Sequence, residues 1–110
     1  MSSSIEIESL ECYNKYRILN NKSSNNAKQR AYYASEIARH SFESEEYERA
    51  KSWYERDYNI SIKWRNEFSA FDRLVSTRRI AECLINLNKF REALAALKTH
   101  SDFLLTALEE

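Results

Sequence analysis

Residues 37–54 read IARHSFESEEYERAKSWY, and residues 80–97 read IAECLINLNKFREALAAL. At a shift of 43 positions Ile37 falls on Ile80, Ala38 on Ala81, Tyr47 on Phe90, Ala50 on Ala93 and Tyr54 on Leu97. Each copy carries a large then a small residue, followed by an aromatic, an Ala and a large residue at helical spacing. Small residues at helix crossings let two backbones approach, and the aromatic closes the turn. Self-similarity at a fixed period of this length marks stacked supersecondary units. The pair therefore predicts an all-α fold of stacked antiparallel helical hairpins, about five helices in one domain. Repeat 1 spans 26–68, repeat 2 with the C-terminal helix spans 69–110, and residues 1–25 supply an N-terminal packing helix and a polar loop.

Working outward, the apolar pattern divides the rest of the chain in the same way. Leu10, Tyr13, Tyr16 and Leu19 recur every third residue and predict a first helix from about Ile5, with Ser3 and Glu6 in the form of a capping box. The polar run from Asn20 to Asn26 reads as a loop whose short side chains compete with the backbone for hydrogen bonds. Asn26 then caps a second helix carrying Ala31, Ala34, Ile37, Ala38 and either Ser41 or Phe42. Ser44 is the expected cap of a third helix reaching about Asn66, with Tyr47, Ala50, Trp53, Tyr54, Tyr58 and Ile62 on one side. Ser69 and Asp72 signal another cap before Leu74, Thr77, Ile80, Ala81, Leu84 and Leu87. The fifth helix takes Phe90, Ala93, Leu94, Leu97, Leu104, Leu105 and Leu108.

Composition excludes several function classes. The chain has 110 residues with neither Gly nor Pro, where average usage would place roughly a dozen of the two. Phosphate-cradling Gly loops, dinucleotide-binding turns and nucleophile elbows all need Gly and are ruled out. Lys and Arg number 17, as do Asp and Glu, and the net charge is zero. A generic nucleic-acid or membrane-surface binder relies on a basic excess, so neither is expected. Cys12 and Cys83 form no CxxC pair, which leaves no zinc motif, and no cofactor is implied. With no secretory leader and no long apolar run, an intracellular chain, cytoplasmic or nuclear, with reduced thiols is expected.

The hairpin pattern resembles the tetratricopeptide repeat, with a period of 43 in place of the usual roughly 34 and Ala at the small positions usually held by Gly. A narrower resemblance rests on Arg78-Arg79-Ile80-Ala81-Glu82 followed by Phe90-x-x-Ala93-Leu94. This run is similar to the N-terminal repeats of the Tonsoku-like family, and spindle-polarity adaptors and kinesin light chains have related long repeats. The Tonsoku-like resemblance implies a non-enzymatic scaffold of nuclear replication-fork repair. The ankyrin repeats and leucine-rich segment through which that family engages histone tails and its partner are absent from this chain.

No residue set has a catalytic spacing. His40 and His100 lack a nucleophile or carboxylate at a diagnostic distance in sequence and read as exposed or capping histidines. Cys83, beside a core face, reads as buried filler. Aromatic residues between Tyr32 and Phe71 alternate with Arg and Lys, a pattern that can stack single-stranded nucleic acid. Glu45, Glu46, Glu48, Glu55, Asp57 and Glu67 cancel that charge, and nucleic acid remains the weaker alternative. In the repeat frame the first helix of each hairpin lines the inner face, through Tyr32, Ser35, Arg39 and Phe42 in one unit and Val75, Arg78, Glu82 and Ile85 in the next. Ser35 and Arg39 stand where carboxylate-clamping co-chaperone repeats present Lys and Asn. Two arginines beside apolar residues instead suit an extended or helical peptide carrying carboxylates. The expected function is thus a protein-interaction module. A structural bundle that dimerises through Leu104, Leu105 and Leu108 is the alternative, because the fifth helix carries more leucine than the fourth can cover.

Overall fold

With neither Gly nor Pro to interrupt it, the backbone is helical almost throughout. A computed structural model describes residues 2–19 and 23–109, with side chains from residue 7 onward. Five helices follow in order: α1 (Ser2–Ile18), α2 (Ala27–Glu43), α3 (Tyr47–Lys63), α4 (Ala70–Asn86) and α5 (Phe90–Glu109). Short 3₁₀ turns at Ser24–Asn26 and Arg65–Glu67 precede α2 and α4, and there is no strand among the described residues. Each helix packs on the next in the chain, α1 on α2 through to α4 on α5. The stack measures 41 × 36 × 18 Å, two helix layers thick.

The 43-residue shift holds at the level of single hydrogen bonds. The α2–α3 turn is closed by Glu46 N–H donating to Ser41 O (2.8 Å) and Glu45 N–H to Phe42 O (3.0 Å). In the α4–α5 turn, Lys89 donates to Leu84 O (2.9 Å) and Asn88 to Ile85 O (3.0 Å). Both are Schellman turns, which satisfy the last carbonyls of a helix by placing one residue in the left-handed region. Those residues are Glu45 (φ 61°) and Asn88 (φ 60°). A Cβ in this conformation costs about 1–2 kcal/mol, less for Asn than for Glu. Glu45→Gly is therefore expected to raise stability by about 0.5–1 kcal/mol and Asn88→Gly by less. Thermal unfolding of both variants checks this, and an unchanged midpoint for Glu45→Gly would count against a strained turn.

One core joins the two hairpins. Ala34, Ile37, Ala38, Ala50, Trp53 and Tyr54 meet Ile80, Cys83, Leu84 and Ala93. A smaller cluster of Ala27, Ala31 and Ile60 is closed by Tyr16, Trp64 and Phe68. Ala50 and Ala93 are both buried, consistent with small residues at equivalent crossings.

Several local expectations are corrected. The inward residues of α1 are Ser9, Cys12 and Tyr16, while Leu10 and Tyr13 are exposed. A strict three-residue step turns 300° and drifts around a helix of 3.6 residues per turn, so of the stripe read from the sequence Tyr16 packs on the core while Leu10 is turned out to solvent. Ser44 ends α2, and Glu46 precedes α3 without a side-chain cap. Asn26 makes no cap hydrogen bond either; Ser23 caps the preceding turn. Helix α3 stops at Lys63, and its last buried residues are Ile60 and Ser61 in place of Ile62. The Ser69–Asp72 capping box is present in full. Tyr47 stacks edge-on against Phe42 at 5.2 Å, whereas its counterpart Phe90 is exposed. The side chains of Ser3 and Glu6 and the loop residues 20–22 lie outside the described residues.

Candidate functional site

Helices α2 and α4 both pack on α3 and leave between them a cleft that α3 floors. It consists of two adjoining hollows of about 410 and 430 Å³ that share Ser35, Asp57, Val75 and Ser76. Helix α2 contributes Lys28, Ala31, Tyr32 and Ser35 at one end and Glu36, Arg39, Phe42 and Glu43 at the other. Helix α4 contributes Asp72, Val75, Ser76 and Arg79, and α3 contributes Tyr54, Asp57 and Ser61.

Five of the eight residues singled out in the sequence line this cleft: Tyr32, Ser35, Arg39, Phe42 and Val75. Arg78, Glu82 and Ile85 line neither hollow, and Arg79 faces it in place of Arg78. The reason lies in how a stack is built. Successive first helices meet by opposite flanks, so one shift applied to both cannot select the facing residues. On α4 the facing series is 72, 75, 76 and 79, the i, i+3, i+4, i+7 spacing of one helix face.

The arginines are already engaged by their own helices. Arg39 donates to both carboxylate oxygens of Glu36 (3.2 and 3.1 Å) and to Glu43 (2.7 Å). The Arg39 hydrogen bond holds the Glu36 carboxyl below its ordinary value. Arg78 pairs with Glu82 at 3.2 Å, and Arg79 reaches the other oxygen of Glu82 at 3.5 Å. Carboxylates of the same helix thus occupy the groups expected to receive a ligand's carboxylate.

On the cleft floor lies Asp57, one of the acids that cancel charge in the sequence. Its carboxylate accepts a hydrogen bond from the Ser76 hydroxyl at 3.0 Å. That hydroxyl also lies 3.2 Å from the Asp72 carbonyl and has a single proton to share between the two. No cation is paired with Asp57 among the described residues. Burial pushes its pKa up to about 6 against the pull of Ser76, with the Asp72 charge adding to the rise. The signal was available in principle: Asp57 lies three residues after Tyr54 and four before Ser61, on the inward face of α3.

Neither histidine is exposed, contrary to the sequence reading. His40 is 3% exposed, with Nε2 3.2 Å from Glu8 of α1 and Nδ1 buried without a partner. His100 directs Nδ1 at the Leu74 carbonyl at 2.9 Å and joins α5 to α4. Each lies where two helices meet, a place that single-helix periodicity does not reveal. Cys83 is fully buried as expected, and burial pushes its thiol up to about 11, which suppresses the nucleophilic thiolate. No group of three His, Cys, Asp or Glu residues could hold a metal ion among the described residues. No described helix is long and apolar enough to cross a membrane. In comparison with known proteins, the chain matches no family model, no curated protein and no solved structure.

Proposed function

We propose that the chain is a non-enzymatic protein-interaction module whose α2–α4 cleft receives an extended peptide carrying a lysine or arginine side chain. The observation that carries this reading is Asp57, a desolvated carboxylate at the cleft floor with one shared donor and no cation partner among the described residues. A buried carboxylate is costly unless paired, and a carboxylate desolvated in a cleft is a candidate for binding a cation there. Tyr32 and Val75 offer exposed apolar surface beside it, suited to the flanking residues of a peptide. From Lys28 to Glu43 the α2 wall runs about 22 Å, room for about seven extended residues. A cation is the favoured charge because Arg39 is already saturated by Glu36 and Glu43. The motif resemblance at Arg78–Glu82 and Phe90–Leu94 supports placing this module in a nuclear replication-repair assembly.

Fluorescence anisotropy with degenerate heptapeptide pools tests the reading, using pools fixed at the centre as Lys, norleucine or Glu. The Lys pool is expected to bind at least about 10-fold more tightly than the norleucine pool, the worth of about 1.4 kcal/mol for a charge-assisted contact. Asp57→Asn is expected to erase that preference. Binding should strengthen from pH 5 to pH 7 as the carboxyl ionises around its raised value near 6. The other charges facing the cleft are Lys28, Glu36, Arg39 and Glu43 from α2 and Asp72 and Arg79 from α4. All of these sit beside Asp57 in both variants, so the difference between them isolates its proton. A preference for the Glu pool would overturn the proposal.

A further inference from the structure

The net charge of zero averages two unlike ends. Successive helices run in opposite directions, so the end of α1, the start of α2, the end of α3, the turn at Arg65–Glu67, the start of α4 and the end of α5 meet at one end of the stack. Among the described residues within one turn of it stand seven cations and three acids, Glu67, Asp72 and Glu109, whereas at the opposite end acids outnumber cations five to three. The ion pairs of Arg39, Arg49, Lys51, Arg79 and Lys89 lie away from the basic end. There, none of Lys15, Arg17, Lys28, Arg30, Arg65 and Arg73 is paired with a carboxylate among the described residues.

Neutral groups hold three of these cations. Lys15 lies over the Tyr33 ring at 5.8 Å and Arg30 over Tyr16 at 5.2 Å. Arg73 donates to the Ser61 and Phe68 carbonyls at 3.4 and 3.5 Å and lies over Phe103 at 5.5 Å. Rings and carbonyls fix a cation in place without cancelling its charge. Arg30 shows this most clearly. It is 9% exposed, carries five donors, and makes one hydrogen bond, to the Tyr16 hydroxyl at 3.3 Å. A buried charge in want of a counterion is costly. One apolar cluster ties the group together, because Tyr16, Trp64 and Phe68 close over Ala27, Ala31 and Ile60, and Lys28 shares a hollow with Phe68.

We infer that this end of the stack binds the phosphates of a single-stranded nucleic acid. Four of the six unpaired cations are arginines, whose planar fork meets phosphate oxygens two at a time. Exposed aromatic rings beside them select nucleic acid over an acidic peptide: Phe71 on the first turn of α4 is 61% exposed, and Tyr13 of α1 is 39% exposed. Such faces accept unpaired bases by stacking, which a duplex keeps inside. Of the acids nearby, Asp72 is turned to the Ser69 N–H (2.8 Å) and hydroxyl (3.2 Å). Charge segregation by helix direction explains why a chain with no basic excess can still present a basic surface. This inference is independent of the peptide cleft.

Fluorescence anisotropy of the full chain with labelled uridine and thymidine oligomers of about 12 nucleotides is the test, and the tighter of the two identifies RNA or DNA as the source. Binding is expected at about micromolar concentration in about 50 mM salt. With about four phosphate contacts, each contributing about 0.7 to the salt slope, it should weaken about 50-fold at about 200 mM. Arg17→Glu with Arg65→Glu is expected to weaken binding at least about 10-fold, with helicity by circular dichroism unchanged. Arg49→Glu with Lys89→Glu makes the same change in net charge at the other end and should leave binding within about 2-fold of wild type. Phe71→Ala should weaken it by about 5-fold or more. Absence of binding to both oligomers at about 100 µM protein in low salt overturns the inference. So does an equal loss from the two charge-reversed variants, which would show that overall charge alone is read. A polyglutamate peptide that binds as tightly as the oligomers, or an abasic oligomer that matches the thymidine one, overturns the choice of nucleic acid.

Discussion

Trp53→Ala is expected to lower stability by about 3–5 kcal/mol, the range for emptying a large aromatic site in a packed core. Trp53 is 6% exposed on α3 and belongs to the cluster that joins both hairpins. It is also where α1 is fastened: the rings of Tyr13 and Tyr16 meet it edge-on at 5.9 and 5.1 Å. The Arg56 guanidinium covers it at 4.1 Å, and Tyr16 receives a hydrogen bond from Arg30 of α2 at 3.3 Å. Removal of the indole takes away both a filled volume and the platform on which α1 rests. A loss of this size is a large part of the 5–15 kcal/mol that holds a domain together and should lower the melting temperature by on the order of 10 °C or more. Denaturant unfolding measures the loss, and amide exchange is expected to show α1 losing protection first. If stability falls by less than about 1 kcal/mol, or α1 keeps its protection, Trp53 is not the fastening point.

The repeat could be read from the sequence because its determinants are short in range. Ile-Ala in one helix and an aromatic, Ala and large residue in the next fall within 18 positions, and each is set by packing across one hairpin. The helix stops were harder to read. In a chain without Gly, the left-handed residue of each Schellman turn is Glu45 or Asn88, and neither announces a turn as Gly would. Ser44 reads as the start of α3 because Ser favours that role, yet the turn is closed by backbone hydrogen bonds that any residue can make.

The candidate site was legible on one wall and not on the other. Tyr32, Ser35, Arg39 and Phe42 follow from the outward flank of α2, but the facing wall depends on which side of α4 is turned back toward α2. That is a property of the stack as a whole, and no single-helix pattern contains it. Arg39 and Arg78 looked available because their partners Glu36, Glu43 and Glu82 lie three or four residues away on the same helix, a distance at which charges pair routinely. Asp57 is hard to single out for the opposite reason: in sequence it stands among five glutamates, none of which lines the cleft.

Asp57→Asn is expected to stabilise the free protein at pH 7.5 by about 1–3 kcal/mol. Burial raises the carboxyl from an ordinary value of 3.8 to about 6, so between those limits the folded state holds more protons than the unfolded one. Stability is therefore greatest below pH 4, falls as pH rises through the window to about 6, and stays reduced above it. About two units at 1.36 kcal/mol each place the full deficit near 3 kcal/mol, and relaxation around the charge brings it down within the expected range. Asn keeps the shape and an acceptor for the Ser76 hydroxyl without the charge. Its advantage should thus be absent near pH 4 and complete by pH 7.5, measured as denaturant unfolding curves at both values. Curves for wild type and variant that run parallel across this window would show Asp57 to be ordinarily solvated, and the cation site would fall with it. If they diverge, the carboxylate is a destabilised charge that a bound lysine can neutralise, and the Lys-centred peptide pool should reduce the gap by stabilising the wild type alone.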